Sequence, residues 1–104
     1  MNLIKLMKQA ATMQKDMAKL QTDLAARTVE FSIGGGMVTA TARGDGSLSG
    51  LRIDPKAVDA AQVERLQDWV KAAVNGALKA AKAVAAQEMS KLAGDLGLPP
   101  GLGL

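Results

Sequence analysis

The stretch that decides the fold is TVEFSIGGGMVTATARGDGSLSGLRI, which occupies residues 28–53. Three segments of it are predicted to be strands: two alternate apolar and polar side chains, which is the pattern of half-buried strands, and the third is a short strand ending in Leu51 and Ile53. They are residues 28–33, 37–43 and 48–53. Glycines at 34–36 separate the first two segments, and the turn-forming sequence GDGS at 44–47 separates the last two. Because both connections are short, the stretch predicts a three-stranded antiparallel meander.

A long helix is predicted before this meander. Residues 2–27 contain neither glycine nor proline, and their apolar residues recur in steps of three and four. That spacing forms a heptad seam, which is typical of a helix that pairs with another helix along its length. The seam consists of Leu3, Leu6, Ala10, Met13, Met17, Leu20 and Leu24.

A second long helix is predicted after the meander. Pro55 ends the sheet, because proline cannot continue a ladder of hydrogen bonds. Asp59 followed by Gln62 resembles a capping box, so we expect this helix to begin at Asp59. It is expected to run to about Leu92, with Gly94 stopping it.

The expected architecture is an α+β fold in the order α-β-β-β-α, with one domain at residues 1–93 and a flexible Gly/Pro/Leu-rich tail at 94–104. A chain of 104 residues has room for one modest core. A three-stranded sheet cannot shield the apolar faces of two long helices in such a monomer, so we expect a homodimer. Its interface is predicted to comprise Leu6, Met13, Met17, Leu20, Leu24 and Trp69.

Positive charge is concentrated in the two predicted helices. Residues 2–27 carry five basic and two acidic side chains, and residues 70–93 carry four and one. The lysines of the first helix lie opposite its seam, and those of the second are expected to flank its apolar side. Lysine stripes are also common on solvated faces, but the distribution is compatible with an anionic partner. The candidate contact residues are Lys5, Lys8, Lys15, Lys19, Arg27, Lys71, Lys79 and Lys82.

The sequence offers no constellation for catalysis or metal binding. It has no cysteine and no histidine, which removes thiol nucleophiles, the commonest general base and the commonest zinc ligands. Asp45, Asp54 and Asp59 stand at predicted turns or a helix start, where aspartate serves local hydrogen bonding. The glycine-rich GDGSLSG at 44–50 joins two strands and lacks the following helix that a phosphate loop needs. We therefore expect no enzymatic activity, no cofactor, no metal and no small-molecule substrate.

The hydropathy pattern favours a cytoplasmic protein. No apolar run approaches the roughly 20 residues of a membrane span. At the N-terminus, MNLIKLMKQ, Lys5 and Lys8 interrupt the apolar stretch, which therefore does not read as a signal peptide.

Three stretches, taken together and in order, resemble a known family. They are KQAATMQKDMAKLQTDLA at 8–25, GGGMVTATARGDGSLSGLRIDP at 34–55 and AAVNGALKAAKAVAAQEMSKLAG at 72–94. In these stretches the chain resembles the YbaB/EbfC family of bacterial nucleoid-associated proteins. The resemblance implies an intertwined homodimer with projecting helical arms, DNA as the partner, little sequence preference and a place in the nucleoid. It carries over no catalytic residue.

With only four dispersed arginines, a surface dominated by lysine predicts contacts to DNA phosphates rather than to base edges. Two functions other than DNA binding stay open at this point. The first alternative is an adaptor that binds other proteins through the heptad seam and the Leu-rich tail. The second is a peripheral membrane helix built on residues 3–8.

Overall fold

The computed structural model describes residues 2–95 and 97. Helix α1 spans Leu3–Ala26 and is followed by the strands β1, β2 and β3. Helix α2 spans Val63–Asp95. The strands are Thr28–Ile33, Val38–Arg43 and Leu48–Ile53. The predicted order of elements, α-β-β-β-α, is confirmed, and the strand bounds agree with the alternation pattern except that β2 begins one residue later.

Helix α1 is held at its start by a side chain. The Asn2 carboxamide oxygen accepts hydrogen bonds from the backbone N–H groups of Ile4 at 3.1 Å and Lys5 at 3.4 Å. These two donors have no partner inside the helix, so an asparagine before the first turn stabilises it. At the other end Arg27 adopts extended geometry, and β1 begins at the next residue.

The sheet is antiparallel in the order β1-β2-β3 and packs with one face on α2. Every second residue of β2 is completely buried under the helix, and so is a row of alanines on α2 that repeats every four residues. The buried residues are Val38, Ala40 and Ala42 on the sheet, and Ala73, Ala77 and Ala81 on the helix. Because these side chains are small, helix and sheet approach each other closely.

Two glycines permit close contacts around this core. A Cβ at Gly76 would collide with the ring of Phe31, so the glycine lets β1 bring its aromatic ring against α2. Gly34 opens the turn between β1 and β2 with φ +64, a conformation that L side chains rarely adopt. A Cβ there would lie 3.2 Å from Cε2 of Trp69, which shows that the indole packs against this turn.

The bounds of α2 differ from the sequence prediction. Asp59 does not begin the long helix, because its carboxylate accepts from the N–H of Ala61 and caps a short 3-10 turn at Ala60–Gln62. The α-helix starts only at Val63. At the other end α2 continues through Gly94. The remainder of the predicted tail, apart from Asp95 and Gly97, lies outside the described residues.

Helix α1 meets the rest of the chain only along its second half. Leu20 and Leu24 are 8% and 3% exposed, and Leu24 lies against Gly44 in the turn between β2 and β3. Leu20 also lines a cleft with the last turns of α2. By contrast, residues 2–15 are exposed on every side. Within residues 2–95, no helix is long and apolar enough to cross a membrane.

Candidate nucleic-acid interface

The four lysines predicted on α1 form one exposed face of the helix. Lys5, Lys8, Lys15 and Lys19 follow one another at helical spacing and are all exposed. No carboxylate within the described residues approaches any of their ammonium groups to 4.0 Å. We call these residues the α1 lysine face. None of the four is paired with a described carboxylate, so their charges can meet an anion, although Lys19 also lines a cleft with Asp16 and Asp23.

The three lysines predicted on α2 are also exposed, but two of them point away from the sheet. Lys79 stands two residues from both Ala77 and Ala81, which are buried against the sheet. A displacement of two residues turns a side chain about 200° around a helix, so Lys79 points away from the sheet. Lys71 stands two residues before Ala73 and does the same. Lys82 instead directly follows the buried Ala81 and lines a hollow with Leu78 and Ala85. Of the three lysines expected to flank the apolar side, Lys82 does so, whereas Lys71 and Lys79 point away from it.

Arg27 differs from the lysines because it is already paired. Its Nη1 donates to Oε1 of Glu88 at 2.5 Å, across 61 residues of sequence. The two side chains are 52% and 30% exposed, so this ion pair sits at the surface. It joins the segment after α1 to the C-terminal half of α2. Sequence reasoning missed Glu88, because nothing in the local pattern connects residues so far apart.

The cleft between α1 and α2 has the opposite electrostatic character from the α1 lysine face. Four carboxylates and two ammonium groups line it, together with two leucines. The lining residues are Asp16, Lys19, Leu20, Asp23, Glu88, Lys91, Leu92 and Asp95. An excess of carboxylates repels phosphate, so the cleft does not suit a nucleic acid backbone. Contacts to DNA are therefore expected on the outer surfaces of the helices.

Trp69, which the sequence placed at a dimer interface, is half-buried within its own chain. Besides packing against Gly34, its ring is covered by the Arg65 guanidinium, whose carbon lies 4.7 Å from the ring centroid. The Arg65 Nε atom is buried, and no described residue accepts a hydrogen bond from it. Stacking of a cation on the indole holds both side chains over the turn between β1 and β2.

The acidic residues predicted to be structural occupy turns. The Asp45 carboxylate accepts from the hydroxyl and backbone N–H of Ser47, at 2.6 and 2.9 Å. These bonds, led by the one from the hydroxyl and helped by the charge of Arg43, hold the pKa of Asp45 below its ordinary value. Asp54 likewise accepts from the N–H of Lys56 at 2.9 Å. Within the described residues, no group of three or more acidic side chains is placed to hold a metal ion.

The chain is similar to known proteins in both sequence and structure. Residues 1–96 match the YbaB/EbfC DNA-binding family. A nucleoid-associated protein of Ruminiclostridium cellulolyticum is 48% identical over 101 residues, covering 97% of this chain and 88% of the relative. Nucleoid-associated protein GbCGDNIH1_0260 of Granulibacter bethesdensis is 48% identical over 103 residues, covering 99% and 96%. The crystal structure of uncharacterized protein HP0035 from Helicobacter pylori superposes with a TM-score of 0.74 at 25% identity, covering 92% of this chain and 97% of that one.

Proposed function

The chain belongs to the YbaB/EbfC DNA-binding family, and from this membership we propose that it is a non-catalytic, nucleoid-associated protein of the cytoplasm that binds duplex DNA as a homodimer. The relatives are named for association with the nucleoid. The observation that carries the proposal to particular residues is the α1 lysine face, which is exposed and has no internal carboxylate partner.

The dimensions of the α1 lysine face suit a phosphate backbone. Lys5 and Lys19 are 14 positions apart on one helix, which corresponds to about 21 Å at 1.5 Å per residue. Phosphates of one DNA strand follow one another every 3.4 Å or so along the axis, so the face can meet several of them. Lysine approaches a phosphate as a point charge and reads no base. We therefore propose binding with little sequence preference, with Lys71, Lys79 and Lys82 of α2 as further contacts.

Self-association is supported by the apolar side chains that the chain leaves in water. Of the predicted interface residues, Leu6, Met13 and Met17 on α1 are 44%, 45% and 36% exposed and remain candidates. Leu20 and Leu24 are covered by their own chain. A second set of exposed apolar residues lies on β3. Monomeric soluble proteins rarely expose large contiguous apolar surfaces, so both sets are candidate contacts between copies.

A salt titration of DNA binding tests the proposed function. Fluorescence anisotropy with two duplexes of unrelated sequence should give the same affinity for both. A dimer making four to six phosphate contacts should show a log–log slope of affinity against salt of roughly −4 to −5. The proposal fails if micromolar protein binds neither duplex at about 50 mM salt, where such contacts are strongest.

A protein-binding adaptor is the second candidate. The observation in its favour is the apolar tip of α1, where Leu3, Ile4 and Met7 are 70%, 65% and 64% exposed. An amphipathic helix with such a face can lie in a groove of another protein. Co-purification of a stoichiometric protein partner, free of nucleic acid, would favour this function over DNA binding.

A further inference from the structure

Four apolar side chains stand in water at the free end of α1. They are exposed by between 44% and 70%, and we call them the tip patch: Leu3, Ile4, Leu6 and Met7. Residues 2–15 are exposed on every side, so no described residue of the chain covers this patch. Contiguous exposed apolar side chains, unlike single ones, mark a contact surface. The tip patch is therefore a candidate binding site in its own right.

The tip patch is wider than helix pairing needs. At about 100° per residue, its four side chains follow one another around α1 over an arc of about 160°. Leu3 and Leu6 belong to the heptad seam, whereas Ile4 and Met7 lie beside it. A seam that pairs two helices is a narrow stripe, so pairing would leave Ile4 and Met7 uncovered. An occupant of the whole patch has to be a broad apolar surface.

The charge around the tip patch has one sign. Lys5, Lys8 and Lys15 are the only charged side chains of residues 2–15, and the first acidic residue of the chain is Asp16. The first turn of α1 has no carboxylate, although one there would stabilise the positive end of the helix dipole. The three lysines occupy an arc of about 80° that adjoins Ile4. An apolar arc beside a cationic arc complements a surface that is both apolar and anionic.

A DNA backbone accounts for only one of these two arcs. Its phosphates attract the lysines but offer no apolar contact to Ile4 or Met7. A membrane with anionic lipids meets both, because the headgroup phosphates attract the lysines while the acyl chains take up the apolar side chains. An amphipathic helix of this kind lies in the plane of the membrane surface and does not span it.

A groove in another protein is the competing occupant, and it fits less of the patch. Helices that bind in grooves anchor through residues spaced i, i+3 and i+4. Leu3, Leu6 and Met7 have that spacing, but Ile4 lies outside it, next to the lysines. A groove would also have to place carboxylates along the edge at which those lysines lie.

We propose that the free end of α1 binds the surface of anionic membranes, with the tip patch among the acyl chains and with Lys5 and Lys8 on the headgroup phosphates. This site goes beyond DNA binding and does not depend on it. The lysines are those proposed to meet DNA, whereas Ile4 and Met7 have no part in that contact. The apolar pair therefore separates the two activities experimentally.

Vesicle flotation tests the proposal with the full chain. Vesicles of phosphatidylglycerol and phosphatidylcholine in equal amounts should carry the protein upward at low salt, and vesicles of phosphatidylcholine alone should not. Raising the salt should weaken the binding, because it screens the lysines. Absence of flotation with the anionic vesicles at micromolar protein and low salt overturns the proposal and leaves a protein groove as the occupant.

Ile4→Gln combined with Met7→Gln distinguishes insertion from attraction by charge alone. Loss of the two apolar side chains should weaken binding to anionic vesicles about tenfold or more. Duplex affinity and the mass seen by light scattering should not change, since the lysines and the seam remain. Val58→Gln is the matched control, because it removes an apolar side chain that is 63% exposed outside α1. It should float like the unaltered chain.

Three results with the double variant would overturn the proposal. Unchanged vesicle binding would show that the lysines act without insertion. A lower mass would show that a second copy of the chain covers the tip patch, and a loss of duplex affinity would show that DNA does. If the unaltered chain floats, the double variant does not, and neither binds duplex DNA, the membrane site stands while the proposed DNA binding fails.

Discussion

Arg27 donates from Nη1 to Oε1 of Glu88 at 2.5 Å, which joins the segment after α1 to the C-terminal half of α2. The pair places a carboxylate against a basic residue that the charge pattern assigned to DNA contact. If Arg27 contacts DNA as proposed, Glu88 would compete with phosphate for its guanidinium. Because both side chains are partly solvated, the pair itself adds little to folding stability.

Glu88→Gln is expected to strengthen DNA binding. The substitution removes the charge that occupies Arg27 and frees the guanidinium for one more phosphate. One additional phosphate contact in each chain should steepen the log–log salt slope by about 0.9 per chain. Fluorescence anisotropy across salt measures the slope. Glu64→Gln is the matched control, since it removes an exposed glutamate of the same helix that forms no described ion pair. Equal gains from the two variants would show that only net charge matters.

Charge reversal on the α1 lysine face should weaken binding equally for all duplexes. Lys8→Glu combined with Lys15→Glu removes two phosphate contacts and adds repulsion, so the salt slope should flatten by about 1.8 or more per chain. Lys56→Glu, in the turn after β3, provides an exposed lysine outside the helices as the control. Loss of affinity confined to one duplex sequence would contradict contact through phosphates alone.

Gly76→Ala should destabilise the fold although alanine favours helix. The new Cβ would collide with the Phe31 ring, and overpacking of this kind costs about 1–3 kcal/mol. The gain in helix propensity is only about 1 kcal/mol. Urea unfolding measures the net loss. In a Phe31→Ala background the same substitution should become neutral or stabilising, because the collision is gone.

Gly94→Ala is the control for that experiment. Gly94 is also a helical residue of α2, but a Cβ there would meet nothing within 4 Å. The substitution should leave stability unchanged or raise it slightly. Destabilisation by Gly94→Ala as large as by Gly76→Ala would show that contact with Phe31 is not the cause.

Local patterns in the sequence predicted the helices and strands of this fold. They did not predict contacts between residues that are far apart in the sequence. Alternation located β1 to the residue, because this strand has one face on α2 and one face in water. The turn sequence at 44–47 and Pro55 located β3. The heptad spacing of α1 indicated that Leu20 and Leu24 need a partner. It could not show that their partner lies in the same chain. The start of α2 was misplaced because an aspartate caps a 3-10 turn by the same hydrogen bond that caps a longer helix.

Charge and helical spacing predicted only one part of the candidate site, the exposed lysines of α1. Exposure of the α1 lysines follows from their position opposite the seam. The pairing of Arg27 with Glu88 and the exposure of Leu48 and Leu51 on β3 both depend on how α2 lies over the sheet. That placement depends on the close contact between the Phe31 ring and Gly76 and on the width of one helix. Neither can be read from the spacing of residues along the sequence.

Acid should weaken the turn between β2 and β3 through Asp45. Hydrogen bonds from Ser47 lower the pKa of Asp45 in the folded chain, so the folded state favours the ionised carboxylate. The resulting stabilisation is present above the unfolded pKa of about 3.9 and is lost as pH falls through the lower folded value. Asp45→Asn should therefore lower the urea midpoint at pH 7 and reduce its decline in acid. Asp68→Asn is the control, because its carboxylate accepts no described hydrogen bond from a side chain or turn. An Asp45→Asn variant whose stability declines in acid as steeply as that of the unaltered chain would show that other carboxylates govern the acid transition.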